Sequence, residues 1–246
     1  MPYFFVKKEQ ISDKTVKIYG DDAKHISYAL RMAKGEHITV CDMENREYDC
    51  VLSAFEDGSV QADIVEERDA HGESPLKIHL FQGLPKGDKL ETVIQKAVEC
   101  GVFEITPFES ERCIAKAKSD SEGRKTERRN RIAAEAAKQC GRGRLPVVHE
   151  TVSFVEAVAK AATADLALVC YEDEDKTTLK QVLTEAKAKD LSTVAILIGS
   201  EGGFSQAEIK RAQEAGIRPA SLGKRILRTE TAPIFVLGCL TYEFEL

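Results

Sequence analysis

The chain has 246 residues, enough for one large or two modest domains, and 43% of them are hydrophobic, so a sizeable core can form. No apolar run approaches the roughly 18–20 residues of a membrane span, and the first residues lack the order of a signal peptide. Seven scattered cysteines without a C-x-x-C pair argue against a disulfide framework and against zinc. We therefore expect a soluble cytoplasmic protein with reduced thiols and no metal.

The first part of the chain predicts a small β-rich domain. Short alternating or apolar segments, separated by glycine turns, predict strands near residues 3–6, 15–18, 37–41, 48–55 and 60–65. One helix is predicted from Asp22 to Met32, with Asp21 or Asp22 as its N-cap. The polar stretch from Asp69 to Pro75 reads as a linker, which gives predicted domains of residues 1–72 and 73–246.

From Leu76 onward the pattern alternates between strands and helices. Apolar runs predict buried strands near residues 78–81, 102–108, 166–171 and 194–198. Asp88, Ser153 and Thr178 each precede a helical pattern and are followed three residues later by Glu or Gln, the spacing of a capping box. This alternation predicts an α/β domain with a largely parallel sheet.

The net charge of −6 hides a basic segment. Residues 111–144 contain eleven Lys or Arg and five Asp or Glu, a local balance of +6. Attraction to phosphates depends on the local patch and not on the whole-chain charge. We favour RNA contact for this segment, and a solvated helix face is the alternative interpretation. Arg124, Arg128 and Arg131 share one face only if this segment is helical.

A glycine-rich loop follows the apolar strand Val194–Ile198 and reads Gly-Ser-Glu-Gly-Gly over residues 199–203. Ser205 and Glu208 then have the capping-box spacing of a new helix, which ends at the C′ residue Gly216. A second short segment, Ala220-Ser221-Leu222, breaks at Gly223. Strands that end in such loops form a ligand crevice at the carboxyl edge of a sheet.

The residues of this loop limit the class of ligand that it could bind. Glu201 would repel a phosphate, the Lys-Ser/Thr pair of a P-loop is missing, and G-x-G-x-x-G is not matched. The last mismatch argues against a nucleotide-dependent oxidoreductase. A nucleoside-like ligand with a positive centre, such as the sulfonium of S-adenosylmethionine, fits better, and a purely structural turn is the alternative.

The last helix begins near Pro233 and is apolar nearly all round, so it must be buried inside the domain or against another chain.

Two segments, Ile198–Ser205 (IGSEGGFS) and Leu222–Ala232 (LGKRILRTETA), closely resemble the signature of the 16S ribosomal RNA uridine-N3 methyltransferase family, of the SPOUT class. Further matching motifs run along most of the chain: His25-Ile26, Leu30-Arg31, Lys34–Glu36, Lys86, Asp88, Lys89, Glu91, Glu99–Val102, Glu111-Arg112, Glu135-Ala136, Gln139–Arg142 and Leu145-Pro146. The departures, Ser200 for a commoner proline, Cys100 for leucine and Cys140 for serine, remove neither a charge nor a loop glycine.

The resemblance implies a carboxyl-terminal SPOUT-type α/β domain whose parallel sheet ends in a trefoil knot, preceded by a small PUA-like β-barrel. In that family the knot binds S-adenosylmethionine, the barrel helps to hold RNA, and the knot helix packs in a homodimer interface. The implied activity is methylation of N3 of the decoding-region uridine of 16S rRNA, within the assembled small ribosomal subunit. Action on another RNA such as tRNA is an alternative, and a non-catalytic RNA-binding module is a weaker one because the cofactor loop is intact.

The resemblance also implies site residues. The implied cofactor-binding residues are Leu197, Ile198, Gly199, Glu201, Gly202, Gly203, Leu222, Gly223, Ile226, Leu227, Arg228, Thr231 and Ala232. Of the expected RNA-binding residues, Arg31, Lys34, Lys86, Arg112 and Arg142 lie in the matching motifs, while Arg124, Arg128 and Arg131 are expected from the basic segment. For Arg31 a structural role is an equally good interpretation, because an arginine at the C-terminal end of a helix is stabilised by the helix dipole.

Methylation at N3 requires that nitrogen to lose its proton before it can attack. A cation near the uracil oxygens would stabilise the resulting anion, and Arg228 is our candidate. Glu230 and Glu201 are candidate proton acceptors. A structural ion pair between Arg228 and Glu230 is the alternative interpretation.

Overall fold

The computed structural model describes residues 1–116 and 119–246. The chain forms two compact units, Met1–Glu73 with Ala137–Leu145, and Ser74–Ala136 with Pro146–Leu246. The chain first passes from one unit to the other between Glu73 and Ser74, next to the boundary predicted between residues 72 and 73. The return of residues 137–145 to the first unit was not predicted. Gly143 allows this return, since a Cβ there would lie 2.5 Å from Ala70 Cβ and 2.7 Å from Asn45 Oδ1.

The first unit is built on a five-stranded sheet that contains all five predicted strands. They are β1 (Tyr3–Phe5), β2 (Thr15–Tyr19), β3 (His37–Cys41), β4 (Arg46–Glu56) and β5 (Ser59–Asp69), in the order β1-β3-β4-β5-β2. The β1–β3 pairing is parallel and the other pairings are antiparallel. Alternate strand residues such as Val16, Ile38 and Leu52 are buried in the core of this unit.

The helix of the first unit is shorter than predicted. Helix α1 (Gly20–Lys24) continues as one π-helical turn through His25–Ala29 and does not reach Met32. Arg31 lies beyond it with a φ of 52°, outside the helical region. A short 3-10 turn, Lys8–Gln10, precedes β2.

The second unit confirms the predicted α/β fold with a parallel sheet. Its strands are β6 (Lys77–Gly83), β7 (Glu104–Glu109), β8 (Val147–Val148), β9 (Val152–Ser153), β10 (Leu166–Cys170), β11 (Thr193–Ile198) and β12 (Arg218–Ala220). Their order is β12-β10-β11-β6-β7-β8, with β9 also paired to β7, and every pairing is parallel. The helices are α2 (Lys89–Glu99), α3 (Ser119–Cys140), α4 (Phe154–Ala161), α5 (Leu179–Lys187), α6 (Gln206–Glu214) and α7 (Ala232–Phe244). The last four residues of α3, 137–140, belong to the first unit.

The helix starts test the capping predictions one by one. The reciprocal hydrogen bonds of a capping box are formed by Ser153 at α4, Thr178 at α5 and Ser205 at α6, as predicted. The prediction for Asp88 at α2 is wrong. Its φ of −89° and ψ of 8° are not the extended conformation of an N-cap, its side chain makes no capping hydrogen bond, and its carbonyl accepts the N–H of Glu91 instead.

The central strand β11 explains where the functional loops lie. Residues Val194–Ile198 are at most 2% exposed because β10 and β6 flank them and helices cover the sheet. Since all pairings in this sheet are parallel, the loops that follow β6, β7, β10, β11 and β12 leave from one edge. Among the described residues, no helix is both long and apolar enough to cross a membrane.

Candidate active site

The loop after β11, residues 199–203, is hereafter the glycine loop. It closes in a tight turn in which the Gly203 N–H donates to the Ser200 carbonyl at 2.9 Å. Gly203 has a φ of +64°, a conformation that side chains other than glycine rarely adopt. A Cβ at Gly202 would lie 2.9 Å from the Arg112 carbonyl oxygen. The turn therefore needs glycine both for its conformation and for close approach to the neighbouring loop.

The glycine loop is anchored at its far end by Phe204 and Glu208. Phe204 is 1% exposed and stacks on Phe108, with ring centroids 6.1 Å apart. The buried Glu208 accepts the Ser205 N–H at 2.9 Å and the Glu111 N–H at 2.8 Å through its two oxygens. One carboxylate thus caps α6 and also fixes the loop after β7, which holds the position of the glycine loop.

The segment Leu222–Ala232, hereafter the cleft segment, is tied to the glycine loop through Thr229. The buried Thr229 hydroxyl donates to the Gly199 carbonyl at 2.7 Å and accepts from Gln82 Nε2 at 3.0 Å. Sequence reasoning missed Gln82. The sequence feature that could have identified it is a single amide side chain in the otherwise apolar end of strand β6, where Gln82 is fully buried.

An open cleft lies between the glycine loop and the cleft segment. Its lining residues are Cys170, Tyr171, Glu172, Ile198, Gly199, Ser200, Gly203, Phe204, Ser221, Leu222, Gly223, Lys224, Arg225, Ile226, Leu227, Thr229 and Ala232. Eight of the thirteen implied cofactor residues are among them. The other five, which do not line the cleft, are Leu197, Glu201, Gly202, Arg228 and Thr231. Leu197 is the clearest case, since it is fully buried in the apolar core of this unit.

The cleft carries charge of both signs. Glu172 lies against the glycine loop, since a Cβ on Gly203 would lie 2.5 Å from its Oε1. Lys224 and Arg225 also line the cleft and are exposed. Sequence reasoning assigned no role to Glu172, because it stands in an acidic run typical of surface loops. Its position two residues beyond β10, at the carboxyl edge of the sheet, was the usable signal.

Lys89 joins the two candidate proton acceptors. Its Nζ is 2.9 Å from Glu201 Oε1 and 3.5 Å from Glu230 Oε2. Burial acts to raise the pKa of Glu201, but hydrogen bonds from Lys89 and from backbone N–H groups, including that of Lys86, hold it below its usual value. Glu230 Oε2 is buried, and its contact with the Lys89 ammonium at 3.5 Å is an ion pair that lacks hydrogen-bond geometry.

The alternative interpretation, a structural ion pair between Arg228 and Glu230, is not the arrangement found. Among the described residues Glu230 pairs with Lys89, while the Arg228 side chain is exposed. The Arg228 carbonyl accepts the N–H groups of Thr231 and Ala232, at 2.8 and 2.9 Å, and so begins helix α7. The Arg228 guanidinium therefore remains available to a ligand.

In the second unit, the segment that carries Arg124, Arg128 and Arg131 is helical, as our hypothesis of an arginine stripe requires. All three side chains are exposed on α3, and Arg128 contacts Glu91 at 2.8 Å while 61% exposed. Two other expected RNA-binding residues of this unit are also exposed, Lys86 and Arg112, and the Arg112 guanidinium donates to the Gly202 carbonyl at 3.3 Å.

In the first unit, Arg31 and Lys34 are exposed, but Arg142 differs. Arg142 is 3% exposed, and its Nε and Nη2 each bind a Glu73 oxygen at 2.8 Å. A bidentate buried pair of this kind holds the returning segment 137–145 to its unit. The structure does not support the expected RNA contact of Arg142, because its guanidinium is bound to Glu73.

Comparison with known proteins identifies the family. The model of a family described as RNA methyltransferase domain matches residues 72–241. Ribosomal RNA small subunit methyltransferase E of Bacillus subtilis is 34% identical over 100% of this chain and 98% of its own length. The protein of that name from Synechocystis is 33% identical over 95% of this chain and 75% of its own length.

A solved structure gives the same result. The ribosomal RNA small subunit methyltransferase E of Neisseria gonorrhoeae, bound to S-adenosyl methionine, superimposes with a TM-score of 0.86 at 30% identity. The match covers 98% of this chain and 97% of that chain. With its fold, its glycine loop and its cleft segment, the chain belongs to the ribosomal RNA small subunit methyltransferase E family.

Proposed function

We propose that the chain transfers a methyl group from S-adenosylmethionine to N3 of a uridine in 16S rRNA. The observation that carries this proposal is the cleft between the glycine loop and the cleft segment, in a chain whose relatives are rRNA methyltransferases. The proposed site of action is the decoding-region uridine of the assembled small subunit, in the cytoplasm.

The cleft suits this cofactor by its charges and by its backbone groups. Glu172 offers a carboxylate to a cationic sulfonium or ammonium group, and Lys224 and Arg225 offer cations to a carboxylate. Backbone groups of Gly199, Leu222 and Leu227 would hold the adenine and ribose. When bound, S-adenosylmethionine supplies an activated methyl group on a sulfonium sulfur.

The chain's own residues must orient the uracil and take up its N3 proton. The exposed Arg228 guanidinium would stabilise negative charge on the uracil oxygens. Of the two candidate acceptors, Glu201 is committed to Lys89 and to the Lys86 N–H, and its lowered pKa makes it a weak base. Glu230 lies farther from Lys89, at 3.5 Å against 2.9 Å for Glu201, and its Oε2 accepts no well-formed hydrogen bond, so we assign proton uptake to Glu230 and a positioning role to Glu201.

RNA binding is proposed separately for the two units. In the second unit, which we propose to be a SPOUT domain with a trefoil knot, the exposed side chains of Lys86, Arg112, Arg124, Arg128 and Arg131 would contact phosphates. In the first unit, proposed to be a PUA-like barrel, Arg31 and Lys34 would do so.

A homodimer is proposed from the surface of α7. Phe235 and Tyr242 are 42% and 74% exposed and line a mainly apolar groove with Leu183 and Ile234. Exposed apolar surface of this kind marks association sites, and in this family the knot helix is expected at the dimer interface.

Transfer of a labelled methyl group to different RNAs tests the function. Small subunits from a strain that lacks the modification should accept about one label each, whereas subunits already modified and purified tRNA should accept none. Label in tRNA and none in small subunits would favour the alternative substrate. No transfer to any RNA, by protein shown to bind S-adenosylmethionine, would contradict the enzymatic proposal.

A further inference from the structure

A second group of chemically active side chains lies at the opposite edge of the second unit's sheet. His79 is near the start of β6, and Glu104 is the first residue of β7 and its direct partner in the parallel register. His149 follows β8, whose Val147 pairs with Glu104, and its N–H donates to the Ile105 carbonyl at 2.9 Å. The backbone of the sheet therefore fixes the three residues beside one another.

The three side chains converge on one point. His79 Nδ1 is 2.8 Å from Glu104 Oε1, and His149 Nε2 is 2.7 Å from Glu104 Oε2. One ligand atom of each residue can be chosen such that all lie within 4.8 Å of one another. The side chains are 20%, 29% and 38% exposed for His79, Glu104 and His149, so the site is sheltered yet open to ions.

The His79 ring is held in position by two further contacts. Its Nε2 is 2.8 Å from the hydroxyl of the fully buried Thr106, and the ring stacks on Phe81 with centroids 3.9 Å apart. When Nε2 carries its proton and donates to Thr106, Nδ1 directs a lone pair at the cluster. Histidines that bind metals are oriented in this way by a partner of the other ring nitrogen.

We propose that His79, Glu104 and His149 form a binding site for a divalent transition-metal ion, with Zn²⁺ the ion that suits them best. Two imidazoles and one carboxylate are a common zinc donor set, which leaves a fourth tetrahedral position for water. Ligand atoms about 2.0–2.2 Å from one tetrahedral ion lie about 3.3–3.6 Å apart, so side-chain shifts of about 1 Å would admit it.

This site would join β6, β7 and β8 at the edge away from the glycine loop. It does not depend on the proposed methyl transfer, and it departs from the expectation of no metal that the scattered cysteines supported. The competing arrangement is the metal-free cluster, in which the two imidazoles simply hydrogen-bond to Glu104.

Cobalt(II) serves as the test ion because its visible spectrum reports its ligands. Full-length protein freed of metal by a chelator should bind one equivalent, with bands of low-coordinate cobalt and no sulfur-to-cobalt charge-transfer band, and Zn²⁺ should displace it. Glu104→Gln and His149→Gln should each weaken binding at least tenfold. The control His37→Gln, which alters a two-membered His37–Asp49 pair 3.2 Å apart, should leave the affinity unchanged.

A measurement on the unmodified chain guards against variants that fail to fold. The chain has five histidines, and Zn²⁺ should shift the ring ¹⁵N resonances of His79 and His149 while those of the other three stay in place. The proposal is overturned by the absence of saturable binding at millimolar Co²⁺, by a thiolate spectrum, by unchanged affinity in folded Glu104→Gln, or by zinc shifts at other histidines.

Discussion

Gly203 is the residue of the glycine loop at which an added side chain would meet the Glu172 carboxylate. A side chain here meets two obstacles, the left-handed backbone and the carboxylate 2.5 Å from the Cβ position. Gly216 shares the first obstacle, with a φ of +85°, but has nothing within 4 Å of its Cβ position. The two glycines therefore separate backbone strain from interference with the cleft.

We expect Gly203→Val to weaken S-adenosylmethionine binding at least tenfold, roughly 1.4 kcal/mol, because the branched side chain displaces Glu172 and fills the cleft. Isothermal titration calorimetry measures this. Gly216→Val should bind the cofactor as the unmodified chain does. Equal affinities of the folded Gly203→Val variant and the unmodified chain would remove the glycine loop from the site.

Arg129 differs sharply from its neighbour Arg128. Its guanidinium binds Glu122 at 2.7 Å, and both side chains are about 10% exposed. Burial acts to raise the pKa of Glu122, but hydrogen bonds from Thr151 and Arg129 hold it below its usual value. A carboxyl with a lowered folded-state pKa stabilises the fold at neutral pH, and that contribution is lost as pH falls below about 4.3 towards the folded value.

Arg129→Ala should lower the free energy of unfolding by about 3–5 kcal/mol at pH 7, since it leaves a buried carboxylate without its cation. Arg128→Ala, which removes an exposed pair with Glu91, should cost at most about 1 kcal/mol. Denaturant unfolding followed by circular dichroism compares them. The difference in unfolding free energy between the two variants should narrow as the pH is lowered through about 4, because Glu122 becomes protonated. Equal losses of stability at pH 7 would contradict a stabilising role of the Arg129–Glu122 pair.

At the residue scale, sequence motifs predicted which residues line the cleft, whereas the individual side-chain contacts in and around it were not predicted. Eight implied cofactor residues line it because a motif specifies which loops meet. The contacts of Gln82 with Thr229 and of Lys89 with Glu201 and Glu230 join residues more than a hundred positions apart. No spacing rule reaches that far along the chain.

Helix α3 is the element whose function depends most on its exposed face. Its arginines at 124, 128 and 131 are four and three residues apart, which places them on one side of a helix. The buried Arg129 lies off this stripe. Charge removal can therefore be confined to the exposed side chains without disturbing the Glu122 pair.

Replacing Arg124, Arg128 and Arg131 with Ala should flatten the slope of log affinity for rRNA against log salt by about two to three units, since each phosphate that is no longer neutralised reduces the slope by about 0.7–0.9. Fluorescence anisotropy over a salt series measures the slope. A control triple variant, Lys160→Ala, Lys187→Ala and Lys210→Ala, removes the same charge from other helices and should leave the slope unchanged. An unaltered slope in the arginine variant would leave α3 as ordinary surface.

At the element scale, the sequence predicted the helix starts that depend on a few consecutive residues, and missed the features that depend on tertiary contacts. The capping boxes at Ser153, Thr178 and Ser205 depend on four consecutive residues and were read correctly. The end of α1 and the return of 137–145 depend on tertiary contacts, such as the Arg142–Glu73 pair, and were not. The failed cap at Asp88 shows that residue type alone does not fix the backbone conformation that a cap requires.

For the whole molecule, the groove on α7 leads to a prediction about assembly. We expect a dimer at micromolar concentration, and Phe235→Asp should weaken it at least tenfold, since a carboxylate would be buried in an apolar interface. Val155→Asp, on an apolar residue of α4 that is 52% exposed, should leave the dimer affinity unchanged. Sedimentation velocity distinguishes these outcomes. An unmodified chain that is monomeric and still transfers methyl groups would contradict the homodimer.

Whole-molecule properties were the hardest to read from composition. The net charge of −6 argues against RNA, yet residues 111–144 carry a net charge of +6, and part of that charge lies on the exposed face of α3. Periodicity predicted the parallel sheet because strand burial and helix spacing are local patterns. A knot concerns the path of the whole chain, so no local pattern could predict it, and it entered through the family resemblance alone.

The identity of the methylated nucleoside tests the proposed function most directly. Unmodified small subunits would be incubated with the protein and S-adenosylmethionine labelled in its methyl group, and the 16S rRNA would be digested and analysed by mass spectrometry. We expect the label in 3-methyluridine from a single position, in an amount that Gly203→Val reduces at subsaturating S-adenosylmethionine and that Gly216→Val leaves unchanged. Label in any other nucleoside, such as a uridine methylated on carbon, would contradict the proposed attack by N3.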